Sequence, residues 1–227
     1  MLYLTSLIDL ILHIDKYLAQ IIQSFGPFTY LFIFLIIAIE TGIIIMPFLP
    51  GDSLFFVAGT FAAQGTLNIV YLAITLFTAA IVGDTINYFI GKFFGEKVFI
   101  KSRLFKEKYL IQTKEFYAEY GPKTIVLARF VPIIRTFAPF VAGVGEMKFA
   151  KFMTYNILGG FLWVILFVFA GYFFGHLEFV KQNLTWIIYL IIIVSATPML
   201  IEYIKHKRKK KNKIKRKKTR NKIKRRN

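Results

Sequence analysis

The sequence predicts an all-α integral membrane protein. Its expected plan is an inverted repeat of two re-entrant helical hairpins, each followed by a transmembrane helix, with one further transmembrane helix at the C-terminal end. Three observations carry this expectation. First, 56% of the 227 residues are hydrophobic and only 19% are charged, below the roughly 25% usual for soluble domains. Second, two apolar stretches, 40–59 and 129–143, contain both charged residues and proline breaks. A broken backbone at membrane depth persists only when buried in protein or lining a cavity, and an ionisable side chain there points to a functional site. Third, the same short motifs recur in the same order in both halves of the chain.

Composition also narrows the chemistry. Cysteine is absent, which excludes disulfides and thiolate metal sites. The three histidines, His13, His176 and His206, lie far apart, so neither a metal centre nor a cofactor is expected. The net charge of +18 is a property of the tail, since sixteen Lys or Arg and no acid follow residue 204. The body has fourteen basic and twelve acidic residues. Residues 205–227 have almost nothing to bury and are expected to be disordered. Directly behind a hydrophobic segment, they read as a cytoplasmic stop that touches anionic lipid headgroups. Nucleic-acid binding is not expected.

In chain order, 1–24 reads as an amphipathic helix at the membrane interface. Asp9, His13 and Lys16 share one face, and Leu10, Ile14, Leu18 and Ile21 share another. Residues 25–204 form the membrane domain. Its first repeat, about 25–95, begins with the apolar arm 27–46, which carries Glu40. The arm breaks at Pro47, Pro50 and Gly51 and returns through 53–63. A span over 67–94 follows, with Asp84, Asn87 and Gly91 at spacings of three and four, hence on one face. Residues 96–119 carry charges of both signs and read as a linker helix on the cytoplasmic surface, on the side of the tail. The second repeat, about 120–175, holds Arg129 and Arg135 among apolar residues with Pro132 and Pro139, then a span with Asn156 and Trp163. The last span covers 184–204.

The repeat rests on three ordered matches. Phe25-Gly26-Pro27 resembles Tyr120-Gly121-Pro122. Phe56-Val57-Ala58-Gly59 resembles Phe140-Val141-Ala142-Gly143. Gly91-Lys92-Phe93-Phe94-Gly95 resembles Gly171-Tyr172-Phe173-Phe174-Gly175. With the tail and linker helix cytoplasmic, the first hairpin opens outward and the second inward. The site then lies near the midplane, where the repeats meet.

Three runs carry a specific resemblance. They are E-x-G-x-x-x-x-P-x-x-P-G-D from Glu40 to Asp52, G-D-x-x-x-Y-x-x-G-K from Gly83 to Lys92, and R-F-x-P-x-x-R-T-x-x-P-x-x-A-G from Arg129 to Gly143. Together they resemble the DedA family, the bacterial branch of the VTT-domain or SNARE-associated membrane proteins, over about residues 25–175. The resemblance implies facing re-entrant hairpins, movement of lipids across the bacterial plasma membrane, and importance of Glu40, Asp52, Arg129 and Arg135. Bacterial members are associated with undecaprenyl phosphate recycling, aminophospholipid transport and phenotypes that depend on the proton-motive force.

The residues themselves admit two readings. Guanidiniums stay charged and offer planar forks suited to phosphate, so Arg129 and Arg135 are expected to hold a lipid phosphate while Glu40 and Asp52 exchange protons. Desolvation raises a carboxylate pKa and neighbouring arginines lower it, which is how such an acid comes to titrate. The alternative is that the four form charge pairs across the midplane that only hold the hairpins together. Asp52 also reads as a helix cap. Asp84, Asn87 and Asn156 read as supporting contacts, with Asp84 and Asn87 in helix packing, and Trp163 and Trp186 as packing or interface anchors. The leading expectation is a proton-coupled lipid-phosphate flippase. Its rivals are an antiporter of small ions or drugs that uses the acids, and a non-transporting membrane factor. An enzyme is not expected, since no nucleophile–histidine pair is visible.

Overall fold

The computed structural model describes residues 14–43, 51–101, 107–191 and 193–194. Residues 1–13 of the interface helix, the Pro47–Pro50 break, the last part of the 184–204 span and the basic tail lie outside the described residues. Among the described residues all regular structure is helical. Three stretches are long and apolar enough to cross a membrane: Ile14–Gly42, Ile69–Phe94 and Phe149–Phe174.

Helix α1, Ile14–Phe25, buries Ile14 and Leu18, one turn apart, and leaves Lys16 exposed. It packs on the third helix of the chain. A 3-10 turn, Gly26–Phe28, separates it from α2, Thr29–Gly42. Gly26 takes φ +50° there, which glycine adopts without steric cost. On α2 the buried residues Thr29, Ile33, Ile37, Glu40 and Thr41 recur at helical spacing, while Leu31, Leu35 and Ile39 on the opposite face are exposed. Helix α3, Gly51–Ala63, is buried on nearly every side.

Helix α4, Ile69–Lys101, is the longest described. Asn68 caps its start, where Oδ1 accepts from the backbone N–H groups of Val70 and Tyr71 at 3.0 and 3.2 Å. The expected end of this span near Gly95 is not a helix end, since the helix runs unbroken to Lys101. The linker therefore contributes one shorter helix, α5, Glu107–Tyr120. A second 3-10 turn, Gly121–Lys123, repeats the first, with Gly121 at φ +59°.

Helices α6, Thr124–Ala128, and α7, Pro132–Val144, flank a three-residue break at 129–131. Pro132 explains it. A residue before proline is pushed out of the helical region, and Val131 is extended at φ −127°, ψ 99°. Proline itself is tolerated at the first helical position. Pro139 does not break the chain as the sequence suggests. It lies inside α7, and the helix loses one backbone donor there. Helix α8, Phe149–Phe174, passes through one π-helical stretch, Ile165–Phe169. A short helix α9, Glu178–Gln182, follows, and the chain is helical again over 184–191.

The same contacts recur in both halves. Thr29 donates to the Ile21 carbonyl at 3.4 Å, and Thr124 to that of Phe116 at 3.3 Å, each eight residues back. A Cβ on Gly59 of α3 would strike the Val168 carbonyl and the Tyr172 nitrogen on α8. A Cβ on Gly143 of α7 would strike the Tyr88 carbonyl and the Lys92 nitrogen on α4. Gly171 meets the Phe56 backbone as Gly91 meets that of Phe140. Each Phe-Val-Ala-Gly motif thus seats on the Gly-x-Phe-Phe-Gly end of the span in the other half.

Polarity runs inside out relative to a soluble domain. Val70 (59%), Phe161 (54%) and their neighbours on α4 and α8 present apolar side chains outward. Asp84, Asn87, Arg129 and Asn156 are buried within. Hydrocarbon solvates the first set and punishes the second unless it is paired.

Candidate functional site

Five charged side chains meet in the interior. Glu40 ends the buried stripe of α2, and Asp52 lies in the first turn of α3. Arg135 lies in the first turn of α7 and reaches both. Its Nη1 donates to Asp52 Oδ1 at 3.0 Å, and its Nη2 donates to Glu40 Oε1. The two acid-bearing helices are thereby tied to the arginine-bearing one. Gly51 has no side chain, so the start of α3 approaches the Glu40 carboxylate, where a Cβ would come within 2.8 Å of Oε2. A helix N-terminus presents backbone N–H groups to an anion in this way.

Arg129 sits at the end of α6 and is 1% exposed. Its Nη2 donates to Asp84 Oδ2 on α4 and to Asn156 Oδ1 on α8. Asn156 is oriented in turn by its Nδ2, which donates to the Ile81 carbonyl at 3.2 Å. Gly159, one turn further along α8, leaves room for the arginine stem, since a Cβ there would lie 3.0 Å from Arg129 Cδ and Nε. Arg129 Nε and Nη1 are buried and have no hydrogen-bond partner among the described residues.

The sequence expectation that both acids face both arginines is corrected here. Glu40 and Asp52 pair with Arg135, while Arg129 takes its carboxylate from Asp84. Asp84 is an ion partner rather than a packing contact. Asp84 lies within a span, away from the broken segments, and reaches Arg129 only through the packing of α4 against the break between α6 and α7.

Asn87 lies one turn beyond Asp84 on the same buried face. Its Nδ2 donates to the carbonyls of Thr41 at 3.1 Å and Thr136 at 2.8 Å. Each of those residues adjoins a member of the charge cluster, Glu40 and Arg135 respectively. Asn87 therefore fixes the ends of α2 and α7 relative to α4.

Trp163 also differs from its sequence reading as a packing or interface anchor. It is fully buried, and its Nε1–H donates to Asp52 Oδ1 at 2.8 Å. Both guanidiniums lie over its ring, Arg135 Cζ at 4.7 Å and Arg129 Cζ at 5.6 Å from the centroid. Trp186, by contrast, is 71% exposed.

Three carboxylates thus face two guanidiniums. With every group ionised the cluster carries one net negative charge, and one bound proton or cation makes it neutral. Among the described residues no group of histidine or carboxylate side chains is arranged to hold a metal ion.

A VTT domain matches residues 49–173. The chain is 52% identical over 206 residues to Protein DedA of Escherichia coli, covering 89% of this chain and 94% of that protein. It is 43% identical over 168 residues to an uncharacterized membrane protein of Mycobacterium leprae, covering 73% and 75%. It is 28% identical over 148 residues to inner membrane protein YqjA of Escherichia coli, covering 64% and 67%. No solved structure matches the chain. Motifs, domain match and near full-length identity agree, and the chain belongs to the DedA family of VTT-domain membrane proteins.

Proposed function

We propose that this protein carries a phosphate-bearing lipid across the bacterial plasma membrane, with Arg129 and Arg135 receiving the headgroup phosphate and Glu40 and Asp52 exchanging protons. The observation that carries this reading is the buried cluster itself, which gathers five charges from α2, α3, α4, α7 and the break between α6 and α7. Such a cluster costs more to bury than an apolar core would, so a purely structural role leaves its expense unexplained.

The exchange works through competition. Both arginines are occupied by carboxylates. A proton on Glu40 or Asp52 weakens one of the two contacts that hold Arg135, and the freed donors then suit a phosphate. Arg129 keeps two nitrogens, Nε and Nη1, without a hydrogen-bond partner among the described residues for the same anion. Only the headgroup enters the protein, while the acyl or isoprenyl chain stays in the bilayer.

The paired contacts of the two halves support reading 25–95 and 120–175 as an inverted repeat of two re-entrant hairpins, α2 with α3 and α6 with α7. In that topology the last span returns the tail to the cytoplasm. The reading is of a carrier and not an enzyme. The described histidine, His176, packs edge-on against Tyr172.

The test is flipping of labelled lipid phosphates in proteoliposomes. Flipping is expected, with loss in Arg129→Ala and in Arg135→Ala. Undiminished flipping in both variants would remove the arginines from the site. The surplus carboxylate favours a second reading, a proton–cation antiporter. That reading predicts pH changes inside vesicles when cations are added without any lipid-phosphate substrate.

A further inference from the structure

We propose that Trp163 is a positioning residue that joins the two arginine pairs into one unit. The inference rests on the transport reading and names a part for a side chain that the motifs do not include. Its indole N–H and Arg135 Nη1 share a single oxygen, Asp52 Oδ1, at 2.8 and 3.0 Å. Its ring lies within cation–π range of both guanidiniums, an attraction that strengthens where water is excluded. Phe55 backs the ring at 4.1 Å between centroids and fixes its plane.

The charged groups that meet this side chain are Asp52 from α3, Arg135 from α7 and Arg129 from the break before it, with Glu40 of α2 linked through Arg135 and Asp84 of α4 through Arg129. Helix α8 also grips α3 a second time. The π-helical stretch Ile165–Phe169 places the Val168 carbonyl where only glycine, Gly59, can sit opposite. Such π-helical stretches are frequent at functional sites. When Asp52 and Arg135 separate, the indole loses part of its anchor, and the ring that faces Arg129 moves with it. Substrate at one arginine is thereby felt at the other.

A packing tryptophan needs only its ring, whereas this role needs the N–H as well. Trp163→Phe separates the two. It is expected to remain monodisperse and helical while flipping of labelled lipid phosphate falls about tenfold, the scale of one lost hydrogen bond to a charged acceptor. Trp163→Leu, which also loses the ring, is expected to fall further. A second readout does not depend on transport. The chain has two tryptophans, so Trp186→Phe leaves Trp163 as the sole emitter. Its emission in lipid vesicles is expected to shift in Asp52→Asn, which alters the oxygen shared with Arg135, and also in Asp84→Asn, which reaches the ring only through Arg129. Wild-type flipping in Trp163→Phe overturns the proposal. So does emission that is unchanged with Asp52 or with Asp84 replaced. If the wild-type protein flips no lipid phosphate but the emission still follows Asp52, the transport reading fails and the linkage stands.

Discussion

Asp84 and Arg129 make the sharper test of what the buried charges do at the scale of single residues. Removing one partner of a buried pair strands the other charge, at a cost of about 3–5 kcal/mol. Asp84→Asn is therefore expected to lower the unfolding temperature in detergent markedly, and Asp84→Asn combined with Arg129→Gln to recover much of it. An Asp84→Asn variant as stable as the parent would mean that Asn156 alone satisfies Arg129. Glu40→Gln is expected to be milder than Arg135→Gln, because Arg135 keeps Asp52 in the first, whereas two carboxylates lose the cation they share in the second. Thermal unfolding of the two variants side by side checks the order. These residues show what a sequence can and cannot reveal. Glu40, Asp52, Arg129 and Arg135 stood out because a charge in apolar sequence has no cheap explanation. Which carboxylate serves which arginine was not legible, since the partners lie 45 to 95 positions apart and helix rotation decides the pairing. Trp163 was missed because an apolar-looking aromatic in a span gives no signal until its N–H has a partner.

The helices meet through glycines at the scale of elements, and the contacts are close enough to forbid a side chain. Gly91 and Gly171 each face the backbone of a phenylalanine in the opposite half, Phe140 and Phe56. Backbone cannot yield as a flexible side chain can, so Gly91→Ala and Gly171→Ala are each expected to cost about 1–3 kcal/mol, the range for overpacking. Gly160→Ala is the control, since its added Cβ would meet the Phe77 ring at an ordinary 3.5 Å. Comparable losses in all three would show that helix propensity and crowding in general, rather than these contacts, set the outcome. The glycine spacing on α4 was readable from sequence, and so were spans over 67–94 and 152–174, within three residues of the helical stretches Ile69–Phe94 and Phe149–Phe174, because periodic small and apolar residues declare a helix face. The extension of α4 to Lys101 was not readable, since positive charge after an apolar run signals the membrane edge and says nothing about where the helix stops. Pro139 misled for a related reason. Proline weakens a helix locally, but packing around α7 keeps it continuous.

For the whole molecule, the inverted-repeat proposal fixes on which side of the membrane each loop lies, and the absence of cysteine makes this directly measurable. If the helix after α4 faces the cytoplasm, then the loop before α4 is external and both ends of the first hairpin open outward. The second hairpin, entered from α5, opens inward, so the loop between α7 and α8 is cytoplasmic. Helix α8 then crosses outward and the α9 segment is external. Gln64, Glu115, Glu146 and Glu178 are exposed residues in these four regions, and each can carry a single cysteine without disturbing the buried cluster. With a membrane-impermeant maleimide added to intact cells, Gln64→Cys and Glu178→Cys are expected to label. Glu115→Cys and Glu146→Cys are expected to label only after permeabilisation. If Gln64 and Glu146 label from the same side, the two broken segments are not opposed across the membrane. The arginine cluster would then lack access from both surfaces, and a carrier that exposes it alternately would have to be abandoned.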